Sequence, residues 1–368
     1  MTFDDPERIL VVTLRRLGDV LFTTPLTRSL KRAWPNAAID ALVFAGTEGI
    51  LAGNPDLHSV VTMPPRPSVS ETLALLGRLW RHYDLALSTH SGDRPTLFAW
   101  AAGRRSAGFV DPEKLAVHVK RLALDVSVPV APALHRVPET LRLAQALGVA
   151  PIAELVAPSC GTRAPPDQGG RQRMTRRYAV VHVAPKFRYK QWTEEGWRGL
   201  AAGLSARGLA VVATGGPDPE ERRYLDAVWA ARPEVERLDG TLSWPELAAV
   251  LRDATVYIGP DTAVTHLAAA TGAPTVALYG PTDPRLWGPW PVDGTDPPWV
   301  AVGTIQARRN VWLVQNPLPC LPCQQEGCLR RLDSHSQCLD ELSVGQVLAA
   351  VDAALATPVQ RRHGSAPA

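Results

Sequence analysis

The chain has 368 residues, 45% of them hydrophobic and 20% charged, with a net charge of +3. That length allows two domains and that composition suits a globular protein, while the charge is too small to argue for nucleic acid as a partner. An apolar run of about 18 residues, enough to cross a membrane, is absent, and the acidic start followed by Arg15 and Arg16 does not read as a secretory signal, so a cytoplasmic protein is expected.

The first half alternates strand and helix signals. Arg8 to Leu14 reads as a strand, and Gly18 to Trp34 as a helix whose first turns Pro25 restrains. Ala38 to Phe44 and Ser59 to Met63 are further strands. Ser70 to His82 carries Leu73, Leu76, Leu79 and Trp80 at helical spacing. Leu85 to Ser88 and Ser106 to Val110 are short strands, and Arg136 to Leu147 is a helix ended by Gly148. A stretch rich in Pro, Gly, Arg and Gln then reads as a linker at 158–177.

The alternation restarts with a strand at Tyr178 to Val183. Thr193 caps a helix running to Arg207, Leu209 to Thr214 is a strand, Pro219 to Ala230 a helix and Val235 to Leu238 a strand. Ser243 and Glu246 form a capping box for a helix to Arg252. The strand at Ala254 to Ile258 then delivers Asp261 to a new helix, and Thr275 to Leu278 is another strand. Two β-α blocks around a linker imply two Rossmann-like parallel-sheet domains facing a cleft, 1–157 and 178–342. A last helix at 343–357 is expected to pack back on the domain junction.

Five groups of residues are candidates for chemistry. Gly18 and Asp19 follow the first strand, where open α/β sheets bind ligands; Asp19 is either a general base or a helix N-cap, and a dinucleotide glycine fingerprint is absent. Lys186, Arg188 and Lys190 follow the strand ending at Val183, as phosphate-neutralising cations or as a solvated loop, with Trp192 a packing anchor. Asp261 suits sugar hydroxyls, and the amides of Thr262, Ala263 and Val264 open a helix and suit phosphates. His266 lies one turn on, reaching the same ligand or buried as a satisfied polar group. Gly240, Thr241 and Leu242 are a base or ribose contact or a plain turn. Cys320, Cys323, Cys328 and Cys338 cluster as a candidate closed structural metal site, with a second interval short for a common zinc ribbon and free buried thiols as the other reading, while Cys160 stands alone.

These motifs, in this order, resemble the ADP-heptose:lipopolysaccharide heptosyltransferases of glycosyltransferase family 9, over roughly residues 8 to 350. Arg8-Ile-Leu-Val-Val-Thr-Leu-Arg-Arg-Leu-Gly-Asp19 is similar to the family's opening strand and turn. Lys190-Gln-Trp-Thr193 resembles its Lys-x-Trp segment, and Leu238 to Leu247 its nucleoside loop. Asp261 to His266 and Tyr279 to Asp283 resemble its sugar-nucleotide site. The resemblance implies the GT-B fold and inverting transfer of heptose from ADP-heptose to a lipopolysaccharide inner-core acceptor, without a catalytic metal. It implies an acceptor-binding first domain and a donor-binding second, with Asp19 as base and Lys190 stabilising the leaving diphosphate. It also implies an ADP-sugar donor, an acceptor at the inner leaflet, and a structural zinc or iron at the cysteines, which some members carry. Arg15, Arg16, Arg28, Lys31 and Arg32 would offer a basic face to acidic sugars or lipid, or an ordinary solvated surface. A protein acceptor, another nucleotide sugar, an isomerase, and a sugar-nucleotide-binding protein without activity are the rival readings. The chain departs from the family at Ala263, where Gly is usual, and at His182-Val183-Ala184-Pro185, where Pro-Gly often follows the His.

Overall fold

A computed structural model describes residues 5–160, 177–292 and 294–357. Most of the linker expected at 158–177 lies outside those residues. The chain divides into two compact units, Met1–Pro158 and Ser159–Ala368.

The first unit runs β1 (Arg8–Thr13), α1 (Leu17–Leu21), α2 (Thr24–Ala33), β2 (Ala38–Phe44), β3 (Ser59–Met63), α3 (Val69–Leu79), β4 (Tyr83–Ser88), α4 (Asp93–Ala102), β5 (Gly103–Val110), α5 (Val117–Ala123), β6 (Val126–Pro129) and α6 (Arg136–Ala146). Its six strands are parallel, in the order β3-β2-β1-β4-β5-β6. Side chains alternate across a strand, so β1 feeds two cores. Ile9 and Val11 pack with Leu26 and Leu30 of α2 and Leu143 of α6. Leu10 and Val12 pack with Leu79 of α3 and Phe98 of α4. A sheet covered on both faces explains why β1 reads as a continuous apolar run.

The single helix expected over Gly18 to Trp34 is two helices. The Thr23 and Thr24 hydroxyls donate back to the Val20 and Leu21 carbonyls at 2.7 and 2.8 Å, and Pro25 in the first turn of α2 has no N–H to continue α1. Helices α4 and α5 carry no amphipathic signal in the sequence. Pro95, Thr96, Phe98, Ala99, Ala101 and Ala102 of α4 are all buried, which erases the amphipathic contrast. In α5 the pattern is inverted, with Lys120 buried and Val119 and Leu122 exposed.

The second unit runs β7 (Tyr178–His182), α7 (Glu194–Ala206), β8 (Ala210–Thr214), α8 (Pro219–Trp229), β9 (Glu236–Arg237), α9 (Trp244–Asp253), β10 (Val256–Pro260), α10 (Ala263–Ala270), β11 (Thr275–Leu278), α11 (Pro284–Trp287), β12 (Ile305–Arg308), β13 (Val311–Val314), α12 (Gln337–Asp340) and α13 (Val344–Ala356). The strand order is β12-β13-β11-β10-β7-β8-β9, parallel except for the β12–β13 hairpin. The caps expected from sequence are present: Thr193 Oγ1 accepts the Gly196 amide at 3.0 Å, and the Glu246 carboxylate accepts the Ser243 amide at 2.8 Å. Helix α13 packs on α7 and on β10, β11 and β13 of this unit. In each sheet the order reverses beside one strand, between β1 and β4 and between β7 and β10. Ligands of doubly wound sheets bind at the carboxyl ends of such strands.

Candidate active site

At the carboxyl ends of β1 and β4 the Thr13 and Thr89 hydroxyls meet at 3.0 Å. A pocket opens above them, lined among others by Arg15, Asp19, His90, Ser91 and Arg136. Asp19 is not a helix cap. The N-cap of α1 is Arg16, and Asp19 sits in the first turn, its carboxylate accepting the Arg16 amide. Arg15 Nη1 lies 3.7 Å from Asp19 Oδ1. Burial raises the Asp19 pKa above the ordinary carboxylate value, against the opposing pull of Arg15 and Arg16. Burial likewise pushes His90 down to about 3, helped by the charge of Arg15, so this imidazole is neutral near pH 7. His90 and Arg136 were absent from the sequence-based candidates; only the position of His90 just past a strand end signalled it.

In the second unit Asp261 is the hub. It is 8% exposed at the end of β10. Lys190 Nζ lies 2.5 Å from Asp261 Oδ2, and the Thr282 hydroxyl donates to the same oxygen at 2.6 Å. The Tyr279 hydroxyl donates to Oδ1 at 3.3 Å, and His266 Nε2 lies 3.7 Å from it. Burial alone would raise the Asp261 carboxyl, but the charge of Lys190, that of His266 once acid protonates it, and the hydrogen bonds from Lys190 and Thr282 outweigh it and hold the pKa below the ordinary value. His266 is pushed down to about 4 by its burial, so it faces the carboxylate as a neutral ring near pH 7.

Behind this hub, Thr262 caps α10, its hydroxyl accepting the Thr265 amide at 3.4 Å, and Ala263 is the first helical residue. The Tyr257 hydroxyl bonds Thr265 Oγ1 at 2.8 Å directly under the β10 backbone. A Cβ at position 259 would meet that hydroxyl at 2.1 Å, so a glycine is needed where the Tyr257 side chain lies against the end of β10. The structure thus brings Lys190, Asp261, Thr282 and His266 together and sets the amides of Thr262, Ala263 and Val264 beside them.

The remaining candidates are spread along the same strand ends. Lys186 is exposed, its ammonium 6.0 Å from the Phe187 ring. Gly240 has a φ of +68°, and its amide donates to the Gly215 carbonyl at 2.8 Å, so Gly240, Thr241 and Leu242 lie against the turn that ends β8. His182 is buried at the end of β7, where its Nδ1 meets the Thr214 carbonyl at 3.1 Å, and burial pushes it down to about 4.

The four cysteines expected to hold a structural metal lie in the segment that precedes α13. Cys338 is buried, and its thiol is pushed up to about 12, by burial first and then by Cys323, Cys320 and Cys328. The four thiols therefore share a neighbourhood, yet among the described residues no three His, Cys, Asp or Glu side chains converge tightly enough to hold an ion. A closed tetrahedral site takes four thiolate donors, the set that these cysteines would supply to zinc or iron.

Among the described residues, no helix is long and apolar enough to cross a membrane. The sequence model of glycosyltransferase family 9 (heptosyltransferase) matches residues 73–296. The chain is 28% identical over 292 residues to lipopolysaccharide heptosyltransferase 3 of Escherichia coli, covering 75% of this chain and 84% of that one. It is 28% identical over 337 residues to lipopolysaccharide heptosyltransferase 1 of Pseudomonas aeruginosa, covering 87% of each. Its fold is similar to that of E. coli heptosyltransferase WaaC with ADP, with a TM-score of 0.71 and 22% identity over 94% of this chain and 99% of that one. Its two parallel-dominated sheets are those of the GT-B fold. Matched over more than half its length, the chain belongs to glycosyltransferase family 9, the heptosyltransferases.

Proposed function

We propose that the protein transfers heptose from ADP-heptose, with inversion, to an inner-core acceptor of lipopolysaccharide. The observation that carries this is the half-buried Lys190–Asp261–Thr282 cluster at the head of α10, which sets a cation and a helix start at one strand end. The first amides of a helix have no partner within it and its dipole favours an anion, so this end suits a diphosphate.

In this reading Asp19 takes the proton of an acceptor hydroxyl as that oxygen attacks the anomeric carbon. The bond from that carbon to the diphosphate oxygen breaks, and ADP leaves with the electron pair. A carboxylate whose pKa is raised by burial is a better base than an exposed one. Lys190 and the α10 amides neutralise the charge that grows on the leaving diphosphate, and the reading assigns this work to no metal. Gly240, Thr241 and Leu242 would flank the nucleoside.

The same reading places the protein at the cytoplasmic face of the inner membrane as a peripheral partner of a lipid-borne acceptor. Support comes from α5 and its approach, where Leu115 is 99% and Leu122 90% exposed beside exposed Lys114 and Arg121.

Thermal stabilisation by ADP, ADP-heptose, UDP, GDP and UDP-N-acetylglucosamine tests the donor. Selective stabilisation by ADP and ADP-heptose is expected. Selective stabilisation by UDP or GDP compounds would remove ADP-heptose as donor and leave the transferase class in place.

A further inference from the structure

The cysteine-bearing segment, residues 318–340, is a long excursion between β13 and α13 that the mechanism above does not use. Two of its hydrogen bonds fall one residue away from partners of Asp261. The Ser336 hydroxyl donates to the Tyr189 carbonyl at 2.7 Å, and Tyr189 precedes Lys190. The Gln324 amide donates to the Pro281 carbonyl at 2.8 Å, and Pro281 precedes Thr282. Packing reinforces both joints. Cys338 Sγ lies under Gly280, where a Cβ would meet it at 3.2 Å, and a Cβ at Gly327 would meet Tyr189 Cβ at 2.9 Å. The segment is itself braced: the Cys328 amide donates to the His335 carbonyl at 2.9 Å, and Cys328 Sγ accepts the Gln337 amide at 3.3 Å.

Neither Lys190 nor Thr282 sits on a regular strand or a long helix. Lys190 ends a single turn of three residues, Arg188–Lys190, and Thr282 lies in the turn before α11. Turns so short do not fix a side chain by themselves. Ser336 is 2% exposed, so its hydrogen bond is made out of water and its loss leaves the Tyr189 carbonyl without that donor in a dry place.

We propose that the 318–340 segment is the frame that holds Lys190 and Thr282 on Asp261, with Ser336 as a positioning residue for the Lys190 ammonium that faces the diphosphate. The proposal rests on the role given to Lys190 above. Ser336 acts through the backbone of residues 189 and 190 and does not itself touch the donor.

The test is a double-mutant cycle read as ADP and AMP affinity of the full-length protein, with melting temperature as a control for folding. Lys190→Ala weakens ADP and spares AMP, which lacks the second phosphate. Ser336→Ala also weakens ADP, about tenfold for one mispositioned charged contact, and spares AMP. Ser336→Thr, which keeps the hydroxyl, restores ADP binding. Ser336→Ala adds nothing to Lys190→Ala in the double variant. Should Ser336→Ala not fold, Ser336→Cys, a weak donor of similar size, carries the same test with a smaller loss. Unchanged ADP affinity in a folded Ser336 variant, equal loss of ADP and AMP, or additive losses in the double variant overturn the proposal. Unchanged ADP affinity in Lys190→Ala instead overturns the role of Lys190, whatever Ser336 does.

Discussion

Lys190 Nζ and Asp261 Oδ2 are 2.5 Å apart, and they join the turn after β7 to the end of β10 across the point where the strand order reverses. The pair is nearly dry, with the two side chains 20% and 8% exposed. A buried pair of this kind is weak evidence for stability, because desolvation offsets most of the attraction. Its value is positional: the carboxylate fixes the ammonium at the site where a diphosphate would sit. Lys190→Ala is expected to lower the transfer rate about 100- to 1000-fold, the scale of one lost electrostatic contact to a developing charge. Lys190→Arg is expected to recover little, since a planar fork does not replace a point charge in a closed site. ADP release in steady-state turnover measures both, and a variant within a few-fold of wild type would refute the assignment.

Asp19 presents a separate case, in the pocket of the first unit. Asp19→Asn keeps the shape and removes the base. Transfer should fall about 100- to 10,000-fold, while ADP still raises the melting temperature as in wild type. The base works only when deprotonated. Because burial raises its pKa, the acidic limb of the rate profile should lie above the ordinary carboxylate value and vanish in the variant. A limb unchanged by Asp19→Asn would assign it to another group.

How far the sequence predicted this picture depends on what made each feature local. Strand β1 and the caps Thr193 and Ser243 were legible because apolar runs and cap residues act over a few neighbours. Asp261 was legible for the same reason, as the residue between a strand and a helix. Helix α4 was not, because a helix buried on most sides shows no stripe. The role of Thr282 as a donor to Asp261 spans 21 positions, and the bond from Ser336 to Tyr189 spans 147. Contacts at such separations are set by the sheet order, and no local pattern announces them.

Three histidines whose pKa the fold depresses, His90, His182 and His266, give the protein a predictable acid limit. Folding lowers His90 to about 3 and His182 and His266 to about 4, from about 6.5 in the unfolded chain. A depressed histidine contributes stability that is complete above pH 6.5. As the pH falls below that value the unfolded chain takes up protons that the folded protein refuses, and the contribution is lost by the time the pH passes through the folded values. Urea midpoints should therefore fall steeply between pH 6.5 and 4. His182→Gln, which preserves a polar contact to Thr214 without a titrating ring, should flatten that slope. A midpoint independent of pH across this interval would show that the rings are not buried neutral.

The helices on one side of the first sheet carry a second apolar stripe that faces away from it. Eight of the thirteen large apolar side chains exposed among the described residues fall between Val69 and Leu122, including Trp80 and Trp100, whose rings meet edge to face at 5.8 Å. Arg81 lies 5.6 and 5.9 Å from those two rings. Lys120 ties α5 to the start of α4 through Asp93, at 2.6 Å, and through the carbonyl of Ser91, which lines the Asp19 pocket. Between Arg66 and Asp125, eight exposed Lys and Arg stand against four exposed Asp and Glu. Tryptophan with basic neighbours is the composition of a surface that rests at the headgroup level of an anionic leaflet. Vesicles of phosphatidylethanolamine and phosphatidylglycerol should therefore co-sediment the protein, and pure phosphatidylcholine vesicles should not. Arg121→Glu, a reversal of one charge, should weaken partitioning more than about fivefold, and Leu115→Glu with Leu122→Glu should abolish it without moving the ADP-induced melting shift. Binding that survives those substitutions would place the membrane contact elsewhere on the protein, and equal binding to neutral vesicles would remove the basic residues from it.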